Sequence, residues 1–280
     1  MTLQEGLFYG EKILEEAGVS DSKQDAWLLF AHVTGFDKVG YLMHADEEFY
    51  AHKKEDYVIL LKKRAEHIPV QYILGEQEFM GLPIKVTQDV LIPRLDTEVI
   101  ASEAARLLKG GERVLDLCTG SGCILISLLH EVPDAVGIGA DISKQAVNLA
   151  MENAAANGVA ADFIVSDLFE NISGSFDMIV SNPPYIPTAD MYNLMPEVRD
   201  YEPSLALDGG EDGLDYYRRI VAESPDYLKD GGLLILEIGC DQAAGVKFLM
   251  EQNGFYDISV IKDLPGLDRV VMGRTSHVHH

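Results

Sequence analysis

The sequence predicts an α/β protein: a small helical bundle and a β-hairpin precede a mostly parallel sheet with helices on both faces and an antiparallel last strand. Three observations predict it. From Arg113 onward, short apolar runs alternate with amphipathic stretches, and strands separated by helices pair in parallel. The chain closes on two strand-like runs, 258–261 and 269–272, without a helix between them, which makes an antiparallel edge. Residues 1–70, in contrast, carry helical periodicity alone.

Leu3, Leu7, Ile13, Leu14 and Ala17 recur at helical spacing, and Gly18 stops that helix. Ser20 and Asp21 offer N-caps for a second helix carrying Ala26, Trp27, Leu28, Phe30 and Val33, ended by Gly35. A third helical stretch, 46–67, places Phe49, Tyr50, Tyr57, Ile59, Leu60 and Leu61 on one side and a Lys/Glu-rich face opposite. Its Lys53-Lys54 and Lys62-Lys63-Arg64 clusters read as a solvated face rather than a nucleic-acid site. After Pro69, Tyr72-Ile73-Leu74-Gly75 and 78–86 are β-formers punctuated by glycine, the pattern of a hairpin. The expected division is a bundle over 1–70, a hairpin linker over 71–94 and an α/β domain over 95–276.

In that domain Thr97-Glu98 opens a helix through Leu108. Strands follow at 114–117, 135–140 (ending in Asp141), 163–165 (ending near Asp167), 178–180 and 233–238, with helices at 123–130, 143–157, 213–223 and 243–253. His277, His279 and His280 read as a frayed tail rather than a metal site.

Composition narrows the function. The chain has 280 residues, 47% apolar and 24% charged, as a globular protein does. No stretch has the roughly 20 uncharged apolar residues of a membrane span, and the acidic N-terminus lacks the basic start of a signal peptide. A cytoplasmic protein with no membrane partner is expected. Cys118, Cys123 and Cys240 have no metal-ligand company and read as buried free thiols. The net charge is -24, of which -5 falls in residues 1–70 and -19 in the rest. Such a surface repels phosphate backbones, so direct nucleic-acid binding is not expected.

Four strand ends carry the chemistry. The loop Asp116-Leu117-Cys118-Thr119-Gly120-Ser121-Gly122 joins the first strand of the alternating region to its helix. Its glycines let backbone approach a ligand at a helix N-terminus, although a tight turn can need glycine for itself. Asp141, ending the next strand, is placed to accept from ribose hydroxyls; the bland alternative is a helix N-cap, a job open to Ser143. A nicotinamide enzyme would share both features. Asp167, after the following strand, suits an adenine amino group. Asn182-Pro183-Pro184-Tyr185 then makes a stiff turn with an amide and a flat ring, a cradle for a planar group bearing NH2. Methyl transfer to nitrogen uses such a cradle; hydride transfer does not. Arg94, between a proline and a turn, is an exposed candidate for substrate contact.

This order resembles the class I S-adenosylmethionine-dependent methyltransferases, with their Rossmann-like domain. More closely, the chain is similar to the release factor glutamine methyltransferases, the HemK/PrmC family. The resemblance rests on 69–75, Phe79-Met80-Gly81-Leu82, Val90-Leu91-Ile92-Pro93-Arg94, Ser181 through Ile186, Glu202-Pro203-Ser204-Leu205-Ala206-Leu207 and 209–215. It implies S-adenosylmethionine as cofactor and S-adenosylhomocysteine as product. It implies cofactor contacts at Cys118, Thr119, Gly120, Ser121 and Gly122 (methionine end), Asp141 (ribose), Asp167 and Leu168 (adenine), and Asn182. Asn182, Pro183 and Tyr185 would be catalytic, and Asn182, Pro183, Pro184, Tyr185 and Arg94 would hold the substrate. That substrate would be the side-chain amide of the glutamine in the Gly-Gly-Gln loop of class I peptide chain release factors.

Three positions depart from the family pattern: Cys118 stands where glycine is usual, Leu95-Asp96 where Pro-Glu is usual, and Leu168 where an aromatic often lies. A DNA adenine or rRNA guanine amino-group methyltransferase is the competing enzyme reading, since a flipped base also presents NH2. A binding protein with a degenerate pocket is the competing non-enzyme reading.

Overall fold

The computed structural model describes residues 1–276, so the expected histidine tail at 277–280 lies outside the described residues. The chain divides into two compact units, one of residues 1–76 with 195–201, the other of 77–194 with 202 onward.

The first unit is helical. A capping box opens α1 (Leu3–Glu16), with the Glu5 N–H donating to Thr2 Oγ1 at 3.2 Å and the Thr2 N–H to Glu5 Oε2 at 2.9 Å. α2 (Ser22–Thr34) ends at Gly35, whose φ of 76° is the left-handed cap that favours glycine. α3 (Lys38–His44), α4 (Ala51–Ala65) and α5 (Val70–Leu74) follow. Phe30 anchors the core, its ring centroid 5.4–5.6 Å from those of Phe49, Tyr57 and Tyr41. Gly10 lets α1 approach α4, since a Cβ there would lie 1.9 Å from Tyr57 Oη.

Three expectations change in this unit. The third helical stretch is shorter than read, and Tyr50 and Ile59 are exposed, because the buried face of α4 follows Tyr57, Leu61 and Arg64 at helical spacing. Arg64 is buried rather than solvated: its Nε donates to Asp25 Oδ2 at 2.6 Å and its Nη2 to Glu197 Oε1 at 2.8 Å. Residues 70–74 are a helical turn, not strand. Pro69 starts it and Gly75 (φ 83°) stops it, and those two ends outweigh the β-propensity of Tyr72 and Ile73.

β1 (Glu76–Phe79), which falls in the second unit from Gln77 on, and β2 (Leu82–Lys85) form a hairpin, turned at Met80 and Gly81. The remaining elements are α6 (Glu98–Leu107), β3 (Arg113–Leu117), α7 (Cys123–Glu131), β4 (Val136–Asp141), α8 (Lys144–Ala156), β5 (Asp162–Val165) and β6 (Phe176–Ser181). After α9 (Pro196–Tyr201), which belongs to the first unit, come α10 (Asp215–Glu223), β7 (Leu228–Glu237), α11 (Ala243–Gln252), β8 (Phe255–Lys262) and β9 (Asp268–Thr275). Seven strands make one sheet in the order β5-β4-β3-β6-β7-β9-β8. The first five are parallel and β9 runs antiparallel to both neighbours. The fold is the Rossmann-like class I methyltransferase arrangement that the sequence predicts.

Alternation along the strands splits the core into two layers. Val114, Met178, Val180 and Ile235 pack with α6 and α7 on one face; Leu115, Leu117, Ile179 and Leu236 pack with α10 and α11 on the other. The register sets Leu117 beside both Ala140 and Ser181, and Asp141 beside Val165. The C-terminal ends of β3, β4, β5 and β6 therefore finish level. Strand order reverses between β3 and β6, the crevice where parallel sheets hold ligands.

Candidate active site

Each strand end delivers one wall of a cavity of about 280 Å³. From β3 come Cys118, Thr119, Gly120 and Ser121; from β4, Asp141; from β5, Ser166, Asp167 and Leu168; from β6, Asn182 and Pro184. Residues 88–91 and Pro93 close one side, and Pro203, Leu205, Ala206 and Tyr216 another.

The glycine loop is shaped by its own hydrogen bonds. The Thr119 N–H donates to Ala140 O at 3.0 Å, the Gly120 N–H to Asp141 Oδ2 at 2.9 Å, and the Gly122 N–H to Thr119 O at 2.8 Å. The backbone at Cys118, Gly120 and Gly122 has φ of 57°, 55° and 81°. A Cβ on Gly120 would meet nothing within 4 Å, whereas one on Gly122 would press within 3.0 Å of Ala150 and Ile126. Cys118 thus holds a left-handed conformation despite its Cβ.

Asp141 performs the loop-ordering role: its Oδ1 accepts from the Ser143 N–H at 2.9 Å while Oδ2 holds Gly120. Ser143 itself caps α8 through Ala146. The Asp141 carboxylate keeps lone-pair capacity for a further donor. Burial raises the Asp141 carboxyl above its ordinary range, against the pull of the Ser143 and Gly120 amides. Beneath the loop, Asp116 is buried, with Oδ2 accepting from Thr119 Oγ1 at 2.6 Å. Its pKa is pushed up to about 7 by burial, with Thr119 and the Leu125 N–H pulling the other way. Three loop amides are already spent on protein acceptors, and two carboxylates lie close by. Such a loop suits a ligand with hydroxyl or cationic groups and disfavours a pyrophosphate, which needs free N–H donors.

Asp167 lines the cavity and also pairs with Arg219 of α10, Oδ1 to Nη2 at 2.9 Å. Leu168 is buried with φ of 48°, and the Ser166 hydroxyl donates to its carbonyl at 2.8 Å. At the end of β6, Asn182 Nδ2 donates to Thr97 Oγ1 at 3.3 Å. Pro183 and Tyr185 are absent from the cavity lining. Tyr185 packs against the α10–α11 layer, and its carbonyl accepts from Gln242 Nε2 at 2.9 Å. Burial raises its phenol to about 12, so it stays protonated at neutral pH.

Arg94 is half-buried rather than exposed. Its guanidinium pairs with the buried Glu202, tethering the segment that contributes Pro203, Leu205 and Ala206. Cys123 is buried, its thiol pushed up to about 12 by burial, while Cys118 is partly buried and Cys240 is exposed; Cys240 corrects the expectation of three buried thiols. The parts missed in sequence are Gln88, Asp89, Thr97, Tyr216 and Arg219, which no motif marks, while Val90, Leu91 and Glu202 lie in segments that carry the family resemblance but were assigned no place in the site. Among the described residues, no group of three or more His, Cys, Asp and Glu side chains could hold a metal.

Comparison with known proteins decides the family. Residues 6–75 match the PrmC N-terminal domain, and residues 90–197 match the methyltransferase small domain. A release factor glutamine methyltransferase from Geobacter sulfurreducens is 44% identical over 98% of this chain and 96% of its own. The chain belongs to the release factor glutamine methyltransferase family. A second member, from Agrobacterium fabrum, is 43% identical over 98% of this chain and 97% of its own. Two solved structures share the fold. They are a methyltransferase from Pyrococcus furiosus (TM-score 0.55, 19% identity, 70% of this chain and 90% of that one) and the Thermus thermophilus 16S rRNA N2 G1207 methyltransferase in complex with AdoMet and guanosine (TM-score 0.52, 18% identity, 71% and 49%). In this chain Thr119, Gly120, Ser121, Asp141, Asp167, Asn182 and Pro184 line one cavity.

Proposed function

We propose that this protein methylates the side-chain amide nitrogen of the glutamine in the Gly-Gly-Gln loop of class I peptide chain release factors, using S-adenosylmethionine. One observation carries the reading: Asn182 and Pro184 share a cavity with Thr119–Ser121, Asp141 and Asp167. Membership of the family supplies the substrate.

The residues fit the cofactor. Thr119 to Gly122 would take the methionine end, where Asp116 and Asp141 favour positive charge. Asp141 would accept from the ribose hydroxyls with its remaining lone pairs, and Asp167 and Leu168 would bound the adenine. When bound, S-adenosylmethionine supplies an electrophilic methyl group and departs as S-adenosylhomocysteine.

An amide nitrogen is a poor nucleophile because its lone pair is delocalised into the carbonyl. The chain's task is alignment. Asn182 Oδ1 and the Pro183 carbonyl would each accept one N–H of the glutamine amide, aiming its nitrogen at the donor methyl. Tyr185, held by packing and by Gln242, would set the turn against the amide plane. Such alignment can supply about 7 to 11 kcal/mol of the barrier, and the two acceptors stabilise positive charge developing on nitrogen. No strong base is needed beforehand, since the N–H becomes acidic as the C–N bond forms and the proton can pass to solvent.

No helix among the described residues is long and apolar enough to cross a membrane, and we place the protein in the cytoplasm with release factors as partners, without direct nucleic-acid binding. Labelled cofactor incubated with purified release factor, with its loop Gln→Ala variant and with nucleic acid tests the reading. Label in the wild-type factor alone is expected. Label in nucleic acid would establish the amino-group base methyltransferase instead, and no label anywhere would favour a binding protein.

A further inference from the structure

Asn182 has its back to a buried polar cluster that the reaction as written does not use. Its Nδ2 donates to Thr97 Oγ1 at 3.3 Å. Thr97 and Glu237 are both 2% exposed, and the Thr97 hydroxyl and the Asn182 amide are near enough to the Glu237 carboxylate to favour its charged form. Glu237 Oε2 makes no hydrogen bond of its own among the described residues. Behind it, Arg269 bridges Asp96 (Nη2 to Oδ2, 3.0 Å) and Asp263 (Nε to Oδ2, 3.0 Å).

Direction is the informative property of this chain of groups. An ionised carboxylate only accepts; a hydroxyl donates once and accepts; an amide does either according to which way it is turned. With Glu237 as the terminal acceptor, the Thr97 proton points toward it, and Thr97 Oγ1 can only accept from Asn182. The Asn182 amide must then present Nδ2 to the interior and Oδ1 to the cavity. Turned the other way, Asn182 would offer N–H groups to the substrate and leave its oxygen against two acceptors.

We propose that Thr97 and Glu237 are positioning residues that fix the orientation of the Asn182 amide, so that the site accepts an N–H-bearing amide and rejects a carboxylate. This rests on the substrate reading above. It makes Thr97 and Glu237, acting through Asn182, determinants of glutamine over glutamate. Glu237 faces Arg269 from β9, Asp96 from the turn before α6, Cys123 from α7, Tyr217 from α10 and Tyr185 from the substrate turn. Burial is the largest influence on it and raises its pKa to about 7, so the cluster changes from acceptor-only to donor-capable on acidification.

The test combines Thr97→Val, which removes the hydroxyl at constant shape, Thr97→Ser, which restores it, and Glu237→Gln, which can donate. Thr97→Val and Glu237→Gln should lower kcat by about 10- to 100-fold, with cofactor affinity by calorimetry and Tm nearly unchanged, and Thr97→Ser should recover most of the loss. Wild-type kcat should rise with pH through about 7, and that rise should be absent in Glu237→Gln. A nuclear magnetic resonance readout needs no substrate: the Asn182 side-chain NH2 should be protected from hydrogen exchange in the wild type and exposed in Thr97→Val. Near wild-type kcat in Thr97→Val, or equal exchange in both proteins, would overturn the proposal. If the wild type methylates no release factor while the exchange difference holds, the substrate reading fails and the positioning of Asn182 stands.

Discussion

Cys118 occupies a left-handed position at the mouth of the glycine loop, with φ of 57°. An L side chain there costs about 1 to 2 kcal/mol. Cys118→Gly should therefore raise stability by about 1 kcal/mol, and Tm by about 2 to 4 °C, in a thermal melt; a lower Tm would show that the Cys118 side chain contributes more by packing than it costs in strain. Asp116 gives a pH-dependent prediction. Its folded pKa of about 7 lies above its ordinary value of 3.8, so the folded state binds the extra proton. The stability that this provides is complete below about pH 4 and is lost as pH rises through about 7. Asp116→Asn cannot titrate, so its stability relative to wild type should improve from pH 4 to pH 8, by at most about 4 kcal/mol. Urea unfolding of both proteins across that range measures it, and a constant difference would contradict the buried, reluctant ionisation of Asp116. At this scale the sequence was legible where a residue sits next to its strand end. Asp141 and Asn182 follow directly from the apolar runs before them. Thr97 lies 85 residues from Asn182, and Arg94 lies 108 from Glu202, and nothing in local spacing reports such pairings.

Among the elements, the parallel strands and their helices were readable because burial on both sides of a sheet leaves continuous apolar runs. Short elements were not. α3 buries no residue, so it leaves no periodic trace, and α5 is decided by its flanking proline and glycine rather than by its β-forming interior. Arg64 on α4 shows a different limit, since charge clusters look solvated until a partner from elsewhere in the chain is known. Glu197 is 133 residues away, on α9. The side chains of Arg64 and Asp25 are 5% and 8% exposed, so Arg64→Ala would strand a buried carboxylate. A loss of about 3 to 5 kcal/mol is expected in chemical denaturation; a change below about 1 kcal/mol would mean that water replaces the guanidinium.

For the whole molecule, the charge of -24 shapes association more than chemistry. Under the proposed function, a release factor would meet this surface through basic patches of its own. Added salt should therefore raise KM for the release factor while leaving kcat nearly constant; a KM independent of salt would point to docking by shape alone. The strand-end geometry makes the central claim local. Four parallel strands finish level, and the turn after β6 holds Asn182 in the same cavity as the glycine loop and Asp141. Tandem mass spectrometry of release factor treated with wild type and with Asn182→Ala, alongside cofactor affinity of both proteins, tests that claim most directly. The wild type should place one methyl group on the loop glutamine, and Asn182→Ala should lose most of that turnover while binding cofactor nearly as well; near-normal methylation by Asn182→Ala would contradict the account.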